Sequence, residues 1–140
     1  MVELFEGEAP MLEKMQIFRV AQNMASHASA RQAIIAQNVA NADTPGYRAR
    51  DIGAFADSYD TGLNTELRAT RAGHILPGEN AASTWRVTET ERPGAMSPNG
   101  NNVSLETELM MSAETQAEQQ KALAIYRSAL NVLRTSIGRG

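Results

Sequence analysis

The chain has 140 residues, 42% of them hydrophobic and only 5% aromatic, with a net charge of −3 and no cysteine. This length allows one modest domain, and the few aromatics argue against a thick self-contained core, leaving Ala, Met and Leu to supply helix-on-helix seams. The acidic balance gives no footprint for nucleic acid or an anionic membrane, and the missing cysteines exclude disulfides, thiolate metal sites and thiol chemistry.

Met1 to Glu8 carries three acids and no base, unlike a secretory leader, and no apolar run approaches the ~20 residues of a membrane span. These rules alone predict a cytoplasmic protein, although a protein exported without a cleaved signal has the same features. The first predicted element is a helix from about Pro10 to Asn41. Pro10 suits a first turn, and Met11 to Ala42 contains no Gly or Pro. Ile17, Ala21, Met24, Ala28, Ile35 and Val39 recur near one face, interrupted by Arg31 and Gln32. The Pro45-Gly46 pair ends the helix.

From Arg48 to Asn102 the sequence is punctuated by Gly and Pro, and its apolar residues are scattered. Thr84 to Thr90 alternates weakly, with Trp85 and Val87 on one side, and reads as a short strand; Thr65 to Thr70 is a second candidate. The rest is irregular or hairpin-like. The C-terminal segment is a helix beginning after Ser104 as N-cap, with Glu106 and Glu108 at its positive start, Arg134 in its last turn and Gly138 as its stop. Leu105, Leu109, Ser112, Gln116, Gln119, Leu123, Tyr126, Leu130, Leu133 and Ile137 follow alternating four- and three-residue steps, the rhythm of a coiled-coil seam. The predicted fold is mainly α. Two long terminal helices, in segments 1–47 and 103–140, pair as a parallel or antiparallel coiled coil, and 48–102 forms a small irregular or β-containing middle lobe.

No catalytic, metal or cofactor site is predicted. His27 and His74 lie in different zones without ligand spacing and read as surface residues. Ser26 and His27 are adjacent on a helix and point apart. The carboxylates Glu106 with Glu108, and Glu89 with Glu91, read as solvated charge, and neither Gly78-Glu79-Asn80 nor Gly100-Asn101-Asn102 matches a phosphate loop. Most of the seven methionines read as seam residues.

The segment Ala36 to Tyr47 resembles a motif of flagellar rod, hook and hook-associated proteins, in which a long helix ends in Asn-x-x-Asn-x-x-Thr-Pro-Gly-Tyr; here these are Asn38, Asn41, Thr44, Pro45, Gly46 and Tyr47. Arg48-Ala49-Arg50-Asp51 is similar to the proximal member of the flagellar basal-body rod family. Ala30 to Ile35, Thr70 with His74-Ile75, and Gly100-Asn101-Asn102-Val103 before a C-terminal helix resemble the same family. Ser104 stands where the family commonly has Asp, and the aromatic that usually follows Asp51 closely comes only at Phe55.

The resemblance implies a structural subunit of the proximal rod, not an enzyme, built with other copies of itself and other rod subunits into a helical, torque-transmitting tube. It implies export by the flagellar type III apparatus without signal cleavage, assembly in the periplasm, and contact with the inner-membrane ring and its rod adaptor protein. No cofactor, nucleic acid or small-molecule substrate is implied. Asn38, Asn41, Thr44, Pro45, Gly46, Tyr47, Asn101, Asn102, Leu123, Tyr126, Leu130 and Leu133 are the expected inter-subunit residues, the amides and Tyr47 as adaptable surface contacts. Another flagellar rod subunit, or a coiled-coil export chaperone or adaptor, is the alternative.

Overall fold

The computed structural model describes residues 9–57, 85–92 and 96–138, with the backbone alone for 9–15. The elements run α1 (Ala9–Ala40), β1 (Arg50–Ile52), β2 (Val87–Glu89) and α2 (Leu105–Ile137). The two long helices and the strand near Thr84–Thr90 therefore form where the composition and alternation place them. The candidate element at Thr65–Thr70, together with His74, lies outside the described residues. The protein divides into two compact units, Met1–Gln32 with Met110–Gly140, and Ala33–Leu109. These units cut across the sequence zones, because each helix contributes to both.

In the first unit α1 and α2 pack together as an antiparallel pair. Phe18 meets Tyr126 edge to face with ring centroids 5.2 Å apart. Gln32 Nε2 donates to Ser112 Oγ at 2.8 Å. From the first contact to the second, α1 advances by fourteen residues and α2 retreats by fourteen (18 to 32, 126 to 112). That is two heptads on each helix, the period of a coiled-coil seam. The polar interruption in the α1 stripe thus meets the polar middle of α2.

The buried residues of this unit are Ala21, His27 and Ala28 from α1, and Met111, Thr115 and Ala122 from α2. Small side chains let two helices approach closely, and the buried Thr115 hydroxyl donates to the Met111 carbonyl at 2.7 Å. His27 is thus a core residue, not a surface one. The methionines divide: Met111 is buried, whereas Met96 and Met110 are exposed.

The predicted α2 stripe is only in part the one buried within the protein: its Ser112 and Tyr126 touch α1, but the most buried positions lie beside it. Met111, Thr115, Glu118, Ala122, Ile125 and Ala129 face inward, all buried or half-buried, whereas Leu123, Tyr126 and Ile137 are exposed. The most buried line of α2 thus runs one residue N-terminal of the predicted one, about 100° around the helix, and the contact with α1 spans both lines. The apolar pattern picked out the largest side chains, whereas the most buried positions of this part of α2 include the small Thr115 and Ala122, each 1% exposed.

In the second unit β1 and β2 form an antiparallel ribbon, with Arg50 opposite Glu89, Asp51 opposite Thr88 and Ile52 opposite Val87. Thr90 N–H extends the ladder to the Ala49 carbonyl at 2.8 Å. Phe55 and Trp85 pack beyond the ribbon with centroids 6.1 Å apart. Ile35, Ala49, Ile52 and Val103 form the apolar part of the core.

Helix α1 ends through a tightened turn in which Asn41 N–H reaches the carbonyls of Gln37 and Asn38, both at 3.1 Å. Pro45 and Gly46 then occupy a turn closed by Tyr47 N–H to Thr44 O at 3.3 Å, with Gly46 at φ +71°. A second turn, Ser97 to Gly100, closes through Gly100 N–H to Ser97 O at 2.9 Å, with Gly100 at φ +81°. The turns are joined by Gly46 N–H to Asn99 O at 3.0 Å. A Cβ on Gly100 would sit 3.7 Å from Gly46 Cα, an ordinary contact, and one on Gly46 would meet nothing within 4 Å. Backbone conformation, not space, is therefore the obstacle at both positions. Gly46→Ala and Gly100→Ala are each expected to destabilise by ~1–2 kcal/mol, the cost of a left-handed non-glycine residue. Urea titration of the two variants checks this.

A candidate assembly site: the amide knot and the outer helix face

Asn38 stands at the centre of the second unit with no solvent exposure. Its Nδ2 donates to the Arg50 carbonyl at 2.7 Å and to Glu108 Oε2 at 3.0 Å. Its Oδ1 accepts from Arg50 N–H at 3.0 Å and from the Tyr47 hydroxyl at 3.2 Å. Both donors and both acceptor positions of the amide are thus used. A single residue of α1 holds both backbone groups of the first β1 residue and a carboxylate of α2.

Glu108 is itself fully buried. Arg92 Nε donates to Glu108 Oε1 at 3.2 Å. Arg92 Nη2 lies 3.0 Å from the same oxygen, a close charge contact without hydrogen-bond alignment, and 3.9 Å from Asp51. The expectation that Glu108 is solvated surface charge at a helix start is therefore corrected: it is the buried acid of an ion pair. By contrast, the 2.6 Å pair of Arg48 and Glu91 is exposed and contributes little.

The two amides before α2 close the same knot. Asn101 Nδ2 donates to the carbonyls of Asn41 at 2.9 Å and Thr44 at 2.8 Å, adding a second donor to two carbonyls that already accept Thr44 N–H and Tyr47 N–H in the turns after α1. Its Oδ1 accepts Val103 N–H at 2.8 Å. Asn102 Oδ1 accepts Ala49 N–H at 2.6 Å, and its Nδ2 donates to the Thr90 carbonyl at 3.0 Å. Ser104 receives Thr107 N–H at 3.4 Å, a long N-cap contact, while its carbonyl accepts Glu108 N–H at 2.9 Å.

These placements divide the expected inter-subunit residues. Asn38, Asn101 and Asn102 are buried and spend their hydrogen bonds within the protein, so the expectation of adaptable surface amides is corrected for these three. Asn41 and Tyr47 are half-buried; Thr44, Pro45 and Gly46 are exposed. Asn41 Nδ2 donates to Gln37 O at 2.8 Å, and Thr44 Oγ1 to Asn41 Oδ1 at 3.2 Å, both local contacts. On α2, Leu123 and Tyr126 are exposed, the latter with one edge against Phe18, and Leu130 and Leu133 are half-buried, so the stripe runs along the margin of the helical pair and leaves apolar area open. A shallow recess of about 220 Å³ among Ile17, Ile125, Ser128, Ala129 and Val132 lies between the helices.

Among the described residues no cluster of His, Cys, Asp or Glu is arranged to hold a metal ion, and no helix is long and apolar enough to cross a membrane. The knot holds three segments together by satisfied hydrogen bonds, and the outer face offers apolar area.

Comparison with known proteins supplies the family. A model of the family described as flagella basal body rod protein matches residues 18–48, which contain most of α1 and the Asn-to-Tyr segment of the knot. The flagellar basal body rod protein FlgB of Cereibacter sphaeroides strain ATCC 17029 is 35% identical over 107 residues, covering 76% of this chain and 82% of the relative. FlgB of Proteus mirabilis strain HI4320 is 30% identical over an alignment of 142 positions, covering 93% of this chain and 100% of the relative. FlgB of Escherichia coli K12 is 28% identical, covering 89% of this chain and 99% of the relative. With relatives 30–35% identical covering 76–93% of it, the chain belongs to the FlgB family of structural rod proteins of the flagellar basal body.

Proposed function

We propose that the protein builds the proximal part of the flagellar rod by laying its helical pair against further copies of itself and other rod subunits, forming a helical tube that transmits torque. The observation that carries this reading is the outer stripe of α2, where Leu123 and Ile137 stay exposed, beside a Tyr126 that packs on Phe18 yet is 42% exposed, although a second, more buried line already lies within the protein. Large apolar side chains repeated along an outward helix face suit a partner helix. The reading includes passage through the type III export apparatus without cleavage, a periplasmic location, and neighbours at the inner-membrane ring and its rod adaptor. The work is mechanical, and no catalysis is assigned.

In this reading Asn38, Asn101 and Asn102 act on assembly indirectly. They fix the path of Thr44, Pro45 and Gly46, which are exposed for contact with a neighbour.

Leu123→Asp tests the outer stripe. Leu123 is 44% exposed, so the change leaves the internal seam intact, and purified protein should keep its helical circular dichroism. Buried at a subunit contact, the unpaired carboxylate costs several kcal/mol at every repeat of the lattice. Cells are expected to be non-motile while still exporting the subunit. Gln120→Asp, also exposed and off both stripes, should swim normally. Normal swimming of the Leu123→Asp strain would overturn the packing.

A further inference from the structure

The turn that carries Gly100 holds an Asn-Gly peptide, Asn99-Gly100. We propose that Asn99 is a spontaneous deamidation site which the folded knot holds unreactive, so that each molecule records the time it has spent unfolded. The chemistry needs only water. Gly100 nitrogen attacks Asn99 Cγ, the new N–C bond forms as that nitrogen's proton passes to solvent, and the Cγ–Nδ2 bond of Asn99 breaks to release ammonia. Water then opens the resulting five-membered imide at either carbonyl, leaving aspartate or isoaspartate. Glycine as the following residue makes the attack easy, because it has no Cβ to hinder the backbone nitrogen.

The turn constrains both reacting groups. Gly100 N–H is committed to the Ser97 carbonyl at 2.9 Å, so the nucleophile keeps its proton in a hydrogen bond. Asn99 Oδ1 accepts Asn101 N–H at 3.1 Å, which fixes the amide that has to rotate for attack. Asn99 O accepts Gly46 N–H at 3.0 Å, and Ser97 N–H donates to Asn101 O at 2.8 Å, closing the loop on itself. Asn99 is exposed, so water is at hand and burial is not the protection; conformation is.

The product is expected to damage the fold. Isoaspartate routes the backbone through the former amide arm and adds a methylene between Asn99 and Gly100. That shifts Gly100 away from Gly46 and moves Asn101, which holds the carbonyls at the end of α1. A molecule modified while unfolded should therefore refold poorly and be withdrawn from the assembly-competent pool.

The test incubates the full-length protein in mildly alkaline buffer with and without unfolding urea, then maps peptides by mass spectrometry, with protein isoaspartate methyltransferase labelling to mark isoaspartate. The expected result is conversion at residue 99 at least about tenfold slower in the folded protein, since reaction requires local opening. Asn99→Gln should lose the product at this position in both conditions. Equal rates with and without urea, or absence of product in urea, overturns the proposal. A second readout follows the urea-treated protein after dilution: the isoaspartate fraction should be depleted from the refolded monomer peak, and its equal recovery would refute the effect on folding.

Discussion

Glu108→Ala is expected to cost about 3–5 kcal/mol, the loss that follows when one partner of a buried ion pair is removed. The substitution leaves Arg92, whose side chain is only 8% exposed, without its buried counter-ion, and it leaves Asn38 Nδ2 one acceptor short. Asp51 does not replace the lost carboxylate, since it lies 3.9 Å from the guanidinium, beyond hydrogen-bond length. With whole domains stable by only ~5–15 kcal/mol, this loss should abolish most of the cooperative unfolding transition in urea. Replacing both members, Glu108→Leu with Arg92→Met, removes the stranded charge and should recover a large part of the stability. A double-mutant cycle measures the coupling. A cost below ~1 kcal/mol for Glu108→Ala, the range of exposed pairs, would show that the pair is solvated.

Asn38→Ala and Asn41→Ala should separate sharply, although the two residues stand three apart in the same motif. Alanine raises helix propensity at both positions. At Asn38 it also strips four hydrogen bonds, leaving the amide and carbonyl of Arg50 without the amide partner and Glu108 Oε2 without its donor, while Oε1 keeps Arg92. Each unsatisfied buried group costs roughly 1–3 kcal/mol, so a total of ~3 kcal/mol or more is expected. Asn38→Asp should be worse, because it brings a second carboxyl group within about hydrogen-bond distance of Glu108 and removes the donor between them. At Asn41 the amide bonds only locally, to Gln37 O, and the change should stay within ~0.5 kcal/mol. Thermal unfolding of the three variants, read beside motility, gives the ranking. Equal stability of Asn38→Ala and Asn41→Ala would show that the amide network does not hold the unit together.

The two helices and the turn after α1 were legible because their signals are local. Uninterrupted helix formers, the Pro45-Gly46 stop and the cap before Leu105 each act within a few residues of themselves. The strand at Val87–Glu89 announced itself only weakly, and its partner Arg50–Ile52 not at all, since a three-residue strand carries almost no periodicity. The buried ion pair was out of reach for a different reason. Nothing near Glu108 distinguishes it from Glu106, and its burial is decided by Asn38, seventy residues earlier, and Arg92, sixteen residues earlier. The motif amides were visible as unusual in a helix end but not as buried, because a sequence pattern marks a position without showing which surface covers it. The predicted seam of α2 holds Ser112 and Tyr126, which touch α1, but misses the most buried line one residue away, because hydrophobicity weights leucine above alanine and threonine whereas burial here falls on Thr115 and Ala122.

That one-residue offset gives α2 the character of a text read in two frames. Met111, Thr115, Ala122 and Ala129 spell the buried line, and Leu123, Leu130 and Leu133 spell the more exposed one, written over the same turns about 100° apart, with Tyr126 shared between them through Phe18. Substitutions can edit one message and spare the other. An inserted or deleted codon within the helix cannot, because every residue beyond it rotates by that same angle: an insertion turns the inner line outward, and a deletion turns the outer line inward. Length in this segment should therefore drift far less readily than composition, and the tolerated changes of length should come in whole heptads.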